Sequence, residues 1–263
     1  MKARLVECAS LVNQSLTPYV IFHEQLGGFH SDLHQHEQGQ FIFAEQGCIH
    51  LHGQGKRMLV PRGYGVWIPG GIDHEIWSTS QYLQMRSICF PGNDEKSRLA
   101  PFIKVFPVNG LLREMIRYTE RWAASENQDD RTGSFLMAIR DLLPEEIAKS
   151  GLAFLPSTAN TRLQPVLEYI NEHLQENIVL RNLAQEFGMS ERTLSRLFAL
   201  ELDLSFSGYY KRARTMKALE LIEQGCDSVS QLAFEVGYQS VSTFSNNFLE
   251  ICGNRPLYFI HKD

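Results

Sequence analysis

Two histidines one residue apart, His34 and His36, precede Gln40, and a third, His74, follows Trp67-Ile68-Pro69-Gly70-Gly71-Ile72-Asp73. Alternate side chains of an extended strand share a face, so His34 and His36 point the same way. A later strand could carry His74 to the same place. Three converging imidazoles make a reasonable site for a divalent metal ion, whose nitrogen ligands are most often histidines. The same side chains could instead line a metal-free pocket for a small molecule, or hydrogen-bond within the fold. His50 and His52 alternate with Ile49 and Leu51, so they share the opposite face and are expected to meet solvent.

The elements that must hold the first three histidines look like short strands. Phe41-Ile42-Phe43, Ile49-His50-Leu51, Arg57-Met58-Leu59-Val60, Val66-Trp67-Ile68 and Leu83–Phe90 are separated by Gly, Pro and Asp. That spacing, over residues about 17–90, predicts a small barrel or jelly roll. The texture changes near Pro91-Gly92-Asn93-Asp94. Helical periodicity then appears over 109–124 and again over roughly 132–149, with Pro144 near the middle or end of the second stretch. Residues 125–131 form a polar break between the two, and 150–161 read as a linker.

Beyond the linker one pattern is written twice, about 49 residues apart. The first copy is Leu183-Ala184, Phe187-Gly188-Met189, Leu194 and Leu197-Phe198; the second is Leu232-Ala233, Val236-Gly237-Tyr238, Phe244 and Phe248. In each, a Gly follows four residues after the Ala, where a tight turn needs positive φ. A helix then starts at a capping serine, Ser190 or Ser240. This is a helix-turn-helix, the arrangement that pushes a second helix into a DNA major groove. Seven helices are predicted, at about 162–176, 180–187, 190–201, 205–223, 228–236, 240–252 and 256–261. The fourth would be roughly 28 Å long at 1.5 Å per residue. Successive turns of one DNA face lie ~34 Å apart, so this connector could set both second helices on one face of the duplex.

The chain has 263 residues, 43% of them hydrophobic, with a formal net charge of -5. Residues 157–263 carry 10 Lys+Arg against 13 Asp+Glu. Bulk attraction to DNA is therefore weak, and binding must lean on a few placed side chains. The five cysteines (Cys8, Cys48, Cys89, Cys226, Cys252) lack metal-finger or redox spacing, which fits a reducing compartment. The opening Met1-Lys2-Ala3-Arg4 is not followed by a long apolar run. A cytoplasmic protein without a membrane segment is expected.

Residues 162–263 resemble the DNA-binding domain of the AraC/XylS family of transcription regulators. The motif is Ala233-Phe234-Glu235-Val236-Gly237-Tyr238-Gln239-Ser240, then Phe244, Phe248 and Gly253-Asn254-Arg255-Pro256-Leu257-Tyr258. The resemblance implies outward positions Arg192, Ser195 and Arg196 in the first reading helix and Ser242, Thr243 and Asn246 in the second. Arginine can grip guanine with two hydrogen bonds, and asparagine can pair with adenine. Where the family often has a basic pair after the helix Phe, this chain has Ala199-Leu200 and Leu249-Glu250. Phosphate contacts are then expected from Lys211, Arg212, Arg214, Lys217, Arg255 and the N–H groups at helix starts. The first unit should carry most of the base discrimination, and the second should mainly anchor and set register.

The front half resembles the cupins over about 28–78. Their two motifs match Gly28, His34, His36, Gln40 and Gly47, then Gly63, Pro69, Gly71, His74 and Ser78. Metal-binding cupins usually have Glu at the Gln40 position and Asn at that of Ser78. A neutral amide is a poor substitute for a carboxylate ligand. His-x-His-x3-Gln together with Trp-Ile-Pro-x-Gly-x-x-His also resembles the sensor half of one AraC-type subgroup. The expectation is an α+β multidomain regulator. It comprises a cupin-like effector-sensing barrel (1–95), a helical linker and dimerisation segment (96–156), and an all-α domain with two helix-turn-helix units (157–263). No cofactor is certain beyond a possible divalent metal ion. The partners implied are promoter DNA, a small-molecule effector, a second copy of the chain and, for an activator, RNA polymerase. The rival reading is a metal-dependent enzyme, a dioxygenase or isomerase built on the three histidines. The replaced fourth ligand and the missing acid–base pair weigh against it.

Overall fold

A computed structural model describes residue 12 and residues 18–91, 99–123, 129–148, 154–158 and 160–260. Cys8, the 95/96 boundary, most of the polar break and residues 150–153 of the linker lie outside them. The chain divides into two compact units. The first is Met1–Gln54 with Leu59–Gly151, and the second is Gly55–Met58 with Leu152–Asp263.

The first unit is built on antiparallel strands. They are β1 (Val20–Leu26), β2 (Phe29–His30), β3 (Gly39–Gln46), β4 (Ile49–Gly53), β5 (Lys56–Val60), β6 (Tyr64–Ile68), β7 (His74–Ser78), β8 (Leu83–Phe90) and β9 (Lys104–Pro107). They form one sheet of order β1-β8-β3-β6-β9 and a second containing β5-β4-β7-β2. The expected jelly roll thus takes the form of two sheets rather than one closed barrel. A tenth strand, β10 (Phe154–Pro156), pairs with Lys56–Met58. Strand β3 explains why its sequence runs Gln40-Phe41-Ile42-Phe43-Ala44 with little alternation: all of it up to Glu45 is buried. Strands covered on both faces lose the polar half of the pattern.

One face of the β1-β8-β3-β6-β9 sheet is covered by helices α1 (Gly110–Tyr118) and α2 (Asp130–Ala148), with a 3-10 turn at Thr119–Trp122 after α1. Phe41, Phe43, Trp67, Ile88, Phe90 and Phe106 of the sheet share a core with Leu112, Ile116, Leu136, Ile139 and Leu143 of the helices. Asn109 caps α1 by accepting from the Leu112 N–H at 2.9 Å. Pro144 sits inside α2, four residues before the last described position of the helix.

A buried ion network ties helix to sheet. Glu45 of β3 accepts from Nε of both Arg86 and Arg117. Arg86 also reaches Glu120 at 3.2 Å, and Arg117 reaches Glu114 at 2.9 Å. Burial alone would raise the Glu45 carboxyl, but the two guanidiniums override it and hold the group below its ordinary value of 4.5. Near it, His23 is pushed down to about 4, by burial first and then by the Arg86 charge.

The second unit consists of α3 (Gln164–Glu172), α4 (Leu180–Glu186), α5 (Glu191–Leu202), α6 (Phe206–Glu223), α7 (Val229–Glu235), α8 (Val241–Cys252) and α9 (Pro256–Ile260). The expected starts and ends hold within two residues, except that the first helix spans only 164–172. No helix among the described residues is long and apolar enough to cross a membrane.

Glu45 yields a prediction. Glu45→Gln should destabilise the first unit by about 3 kcal/mol at pH 7, the low end for breaking a buried ion pair, because Arg117 remains 43% exposed. A carboxyl lowered on folding stabilises fully above its unfolded pKa, and the benefit disappears as pH falls through the folded value. The wild-type advantage over the variant should therefore shrink below about pH 4.5. Denaturant melts from pH 7 to 3 would show this, and a difference that stays constant would contradict it.

Candidate functional site

The two helix-turn-helix units are built as their sequences dictate. In the first, Gly188 takes φ +64°, and in the second Gly237 takes φ +82°. The Gly188 N–H bonds to Gln185 O at 3.1 Å and the Met189 N–H to Ala184 O at 2.8 Å; Gly237 bonds to Phe234 O at 2.9 Å and Tyr238 to Ala233 O at 2.7 Å. Both are helix endings that need a left-handed residue to close the last carbonyls. The next helix starts each time at the expected serine. Ser190 Oγ accepts from the Thr193 N–H at 3.1 Å, and Ser240 Oγ from the Thr243 N–H at 3.4 Å. The second turn is one residue longer, with five residues between α7 and α8 against four between α4 and α5.

Leu183, Ala184, Leu194 and Phe198 are fully or almost fully buried, as are Leu232, Ala233, Phe244 and Phe248. That burial fixes the outward faces of α5 and α8. Arg192, Ser195 and Arg196 are exposed on α5, and Ser242, Thr243 and Asn246 are exposed on α8. The first face carries two cations and the second carries none.

The expected phosphate contacts on α6 need correction. Arg212 is 8% exposed and Arg214 is 9% exposed. Arg214 donates from Nε to Leu174 O at 3.0 Å, and from Nη2 to Glu176 O at 2.9 Å and to the Tyr210 hydroxyl at 2.6 Å. Its guanidinium lies 4.1 Å above the Tyr210 ring and 5.0 Å from that of Tyr238. Tyr210 adds a hydrogen bond to Glu176 O. Arg214 is therefore a clamp inside the domain, joining α6 to the segment after α3 and to the turn of the second unit. The physical reason lies in α6 itself. Tyr209, Tyr210, Ala213, Met216, Ala218, Leu219 and Ile222 are buried around every side of it, so an arginine there meets protein rather than solvent. Lys211 remains partly exposed but is engaged by Glu250 at 2.9 Å, and Lys217 by Glu220 at 3.2 Å. Arg255 stays on the surface.

In the first unit the three histidines do come together. His34 and His74 join the edges of two segments by reciprocal backbone hydrogen bonds of 3.0 and 2.9 Å. The rings of His34 and His74 are 4.4 Å apart, and those of His36 and His74 are 5.2 Å apart. One ring nitrogen from each lies within 4.8 Å of the others. Each Nδ1 faces a backbone carbonyl two residues away: Asp32 at 2.7 Å, Gln38 at 2.7 Å and Ile72 at 2.8 Å. Gln40 Oε1 stands 3.2 Å from His36 Nε2, while its Nε2 donates to Ser87 Oγ at 2.9 Å. His74 is completely buried, and its Nε2 has no hydrogen-bond partner. Burial drives His74 down to about 4 and lowers His36, so both rings are neutral at physiological pH.

These residues fit a metal ion of the kind bound by nitrogen and oxygen. One ring nitrogen from each converges with the others, and a carboxamide oxygen faces His36. Ser78, the other position of the cupin pattern, bonds to Cys48 O at 2.7 Å instead. His50 and His52 do share the outer face, but half-buried. His50 stacks on Trp77 and His52 meets Glu75 at 3.2 Å.

Comparison with known proteins agrees with the tail. A family model described as "Helix-turn-helix domain" matches residues 183–261. The chain is 28% identical over 234 residues to the HTH-type transcriptional regulator NimR of Escherichia coli K12, covering 88% of this chain and 82% of NimR. It is 25% identical over 232 residues to the HTH-type transcriptional activator RhaS of Klebsiella pneumoniae, covering 82% of each. Among solved structures, ToxT of Vibrio cholerae O395 aligns over 92% of this chain and 97% of its own, at 12% identity and a TM-score of 0.39.

The two turn glycines predict unequal sensitivity. A Cβ at Gly188 would meet nothing within 4 Å, whereas one at Gly237 would lie 2.6 Å from Leu174 O and 2.7 Å from Gln175 O. Gly188→Ala should cost about 1–2 kcal/mol, the left-handed penalty alone. Gly237→Ala should cost clearly more, because backbone must move. Equal melting temperatures for the two variants would contradict the clamp around Arg214.

Proposed function

We propose that this chain, a DNA-binding transcription regulator of the AraC/XylS type, reads its operator mainly through α5 and responds to a small molecule held at the histidine cluster of the first unit. The observation that carries the reading is the pair of exposed arginines, Arg192 and Arg196, one helical turn apart on the helix after the first turn. Residues at i and i+4 lie on one face, so both can point into a groove together. Ser195 lies beside them. On α8, Ser242, Thr243 and Asn246 supply shorter, uncharged contacts that hold the second unit in register.

Arg255 remains for phosphates, together with N–H groups at the starts of α5 and α8, and Lys211 joins them only by leaving Glu250. With Arg212 and Arg214 buried, the salt dependence of binding should be shallow. The first unit acts as the sensor. An effector changes DNA occupancy only if it binds one arrangement of the protein better than another. The outer face of α1, which carries the exposed Leu111 and Tyr118, is with the neighbouring α2 the proposed contact between two copies of the chain. The protein works in the cytoplasm by occupancy of promoter DNA rather than by turnover. RNA polymerase joins the list of partners where occupancy activates.

The operator follows from selection of genomic fragments by the purified protein, and it should hold two elements about one turn apart. On that operator, Arg192→Ala and Arg196→Ala should each weaken binding by about 1–3 kcal/mol and relax base preference at one position. Asn246→Ala should do less. Titration by fluorescence anisotropy measures this, and full affinity in the double arginine variant would remove α5 as the principal reader.

A further inference from the structure

We infer that Glu201 is a positioning residue for DNA recognition. Through Thr158 and Asn160 it ties the back of α5 to the tip of the β4–β5 hairpin, where the chain passes from one unit to the other. The inference rests on α5 being the reading helix, as proposed above.

Glu201 stands in the last turn of α5, where the helix dipole disfavours a carboxylate, and that turn holds no basic residue. The side chain is exposed, so burial gives no reason for it either. Its two oxygens are instead taken by the segment before α3. The Thr158 hydroxyl donates to Oε2 at 3.0 Å, and Asn160 Nδ2 donates to Oε1 at 2.9 Å. Both donors are themselves held. Thr158 Oγ1 accepts from the Asn160 N–H at 3.0 Å, and Asn160 Oδ1 accepts from the Arg162 and Leu163 N–H groups at 3.0 and 3.3 Å. Those backbone bonds fix which end of the Asn160 amide faces Glu201. Arg192 and Glu201 are about two and a half helical turns apart, so they lie on opposite sides of α5. The linker holds α5 from behind and leaves the reading face open.

The same linker is fastened one residue earlier. Ser157 donates to Gly55 O from its N–H at 3.0 Å and from its hydroxyl at 2.8 Å. Before it, Phe154–Pro156 pair with Lys56–Met58, and Leu155 packs on the core of the second unit. Gln54 and Gly55 form the hairpin turn, with φ of +51° and +66°. A two-residue turn with both φ positive favours asparagine, not glutamine, at its first position. The longer side chain has a task in the first unit. Its Oε1 accepts from the Ile103 N–H at 2.9 Å, and its Nε2 donates to Pro101 O at 3.4 Å. The boundary between the units falls at the Gln54–Gly55 peptide. A tip gripped by residues 101–103 is therefore one peptide from the carbonyl that holds Ser157, and Ser157 adjoins the first residue that holds Glu201. A displacement of the tip reaches α5 along this path.

The test uses full-length protein on the selected operator, with affinity read by fluorescence anisotropy and stability by thermal melts. Asn160→Asp keeps the acceptor for Arg162 and Leu163 but sets a carboxylate against Glu201. It should weaken operator binding by about fivefold with little change in melting temperature. Adding Glu201→Gln returns a donor to the pair and should restore affinity to within about twofold. Gln54→Asn suits the turn but cannot reach Pro101 and Ile103. It should also weaken binding, and by less once Asn160→Asp has cut the path. Unchanged or tighter binding by Asn160→Asp, a defect that Glu201→Gln leaves unrepaired, or one that follows the melting temperature would overturn Glu201 as a positioning residue. Independent effects of Gln54→Asn and Asn160→Asp would overturn the link to the hairpin. Full affinity in the Arg192→Ala/Arg196→Ala variant would fault the α5 reading alone, because the repair by Glu201→Gln is judged without it.

Discussion

A helix surrounded by protein on every side must find partners for each polar group it carries, and α6 is such a helix. Ten of its positions between Tyr209 and Ile222 are buried, two of them arginines. An unpaired guanidinium there would be prohibitively unfavourable. Arg214 answers the constraint by taking two backbone carbonyls and a tyrosine hydroxyl, and by lying against two rings. The carbonyls belong to the segment after α3, and Tyr238 belongs to the turn before α8. One side chain thus fixes three parts of the second unit. Gly237 completes the joint, because only a residue without Cβ leaves room for Leu174 O and Gln175 O at that turn. The joint thereby ties the turn before α8 to α6 and to the segment after α3.

The same rule, that buried polar atoms need partners, organises the first unit in two opposite ways. Around Glu45 it is met within the protein, since two arginines converge on one carboxylate and draw α1 and its following turn onto the sheet. At the histidine cluster it is met only in part. Backbone carbonyls orient each ring through Nδ1, and the Nε2 side is left facing a common centre. The fold spends three hydrogen bonds on orienting three rings and leaves His74 Nε2 without a partner among the described residues.

The sequence made some of this legible for identifiable reasons. Gly188, Gly237, Ser190 and Ser240 each perform a local task, either a left-handed turn or a cap. Local tasks leave local signatures, so both helix-turn-helix units could be outlined from spacing alone. His34, His36 and His74 are readable as a group, but not for the expected reason: the first two lie in the segment between β2 and β3 rather than on a strand, and the bridge from His34 to His74 sets them together. Arg212 and Arg214 were misread as phosphate contacts because burial is a tertiary property. Nothing within a turn of Arg214 announces that the segment after α3 and the turn before α8 close over it, although the near-absence of a charged stripe on α6 is a usable hint. Gln40, a neutral amide where metal-binding cupins have a carboxylate, gives no sign in the sequence of which group it meets. Its aim toward His36, and the Ser87 hydroxyl that orients it, depend on a pairing between β3 and β8 that spacing does not reveal.

Charge brings these threads together. The tail carries 13 acidic against 10 basic residues, and the structure withdraws four of those basic residues further. Arg212 and Arg214 are buried, while Lys211 and Lys217 face carboxylates. What remains toward solvent on the reading helices is Arg192 and Arg196 on α5 and no cation on α8. A protein so poor in free positive charge gains little from the duplex as a polyanion, so mismatched sequences offer it little to hold. Discrimination then comes from the same few contacts that supply affinity, and the rigidity of their mounting becomes decisive. On the reading proposed above, the Arg214 joint would serve recognition from beneath the reading surface, keeping a short set of contacts in register where a more basic domain could tolerate slack.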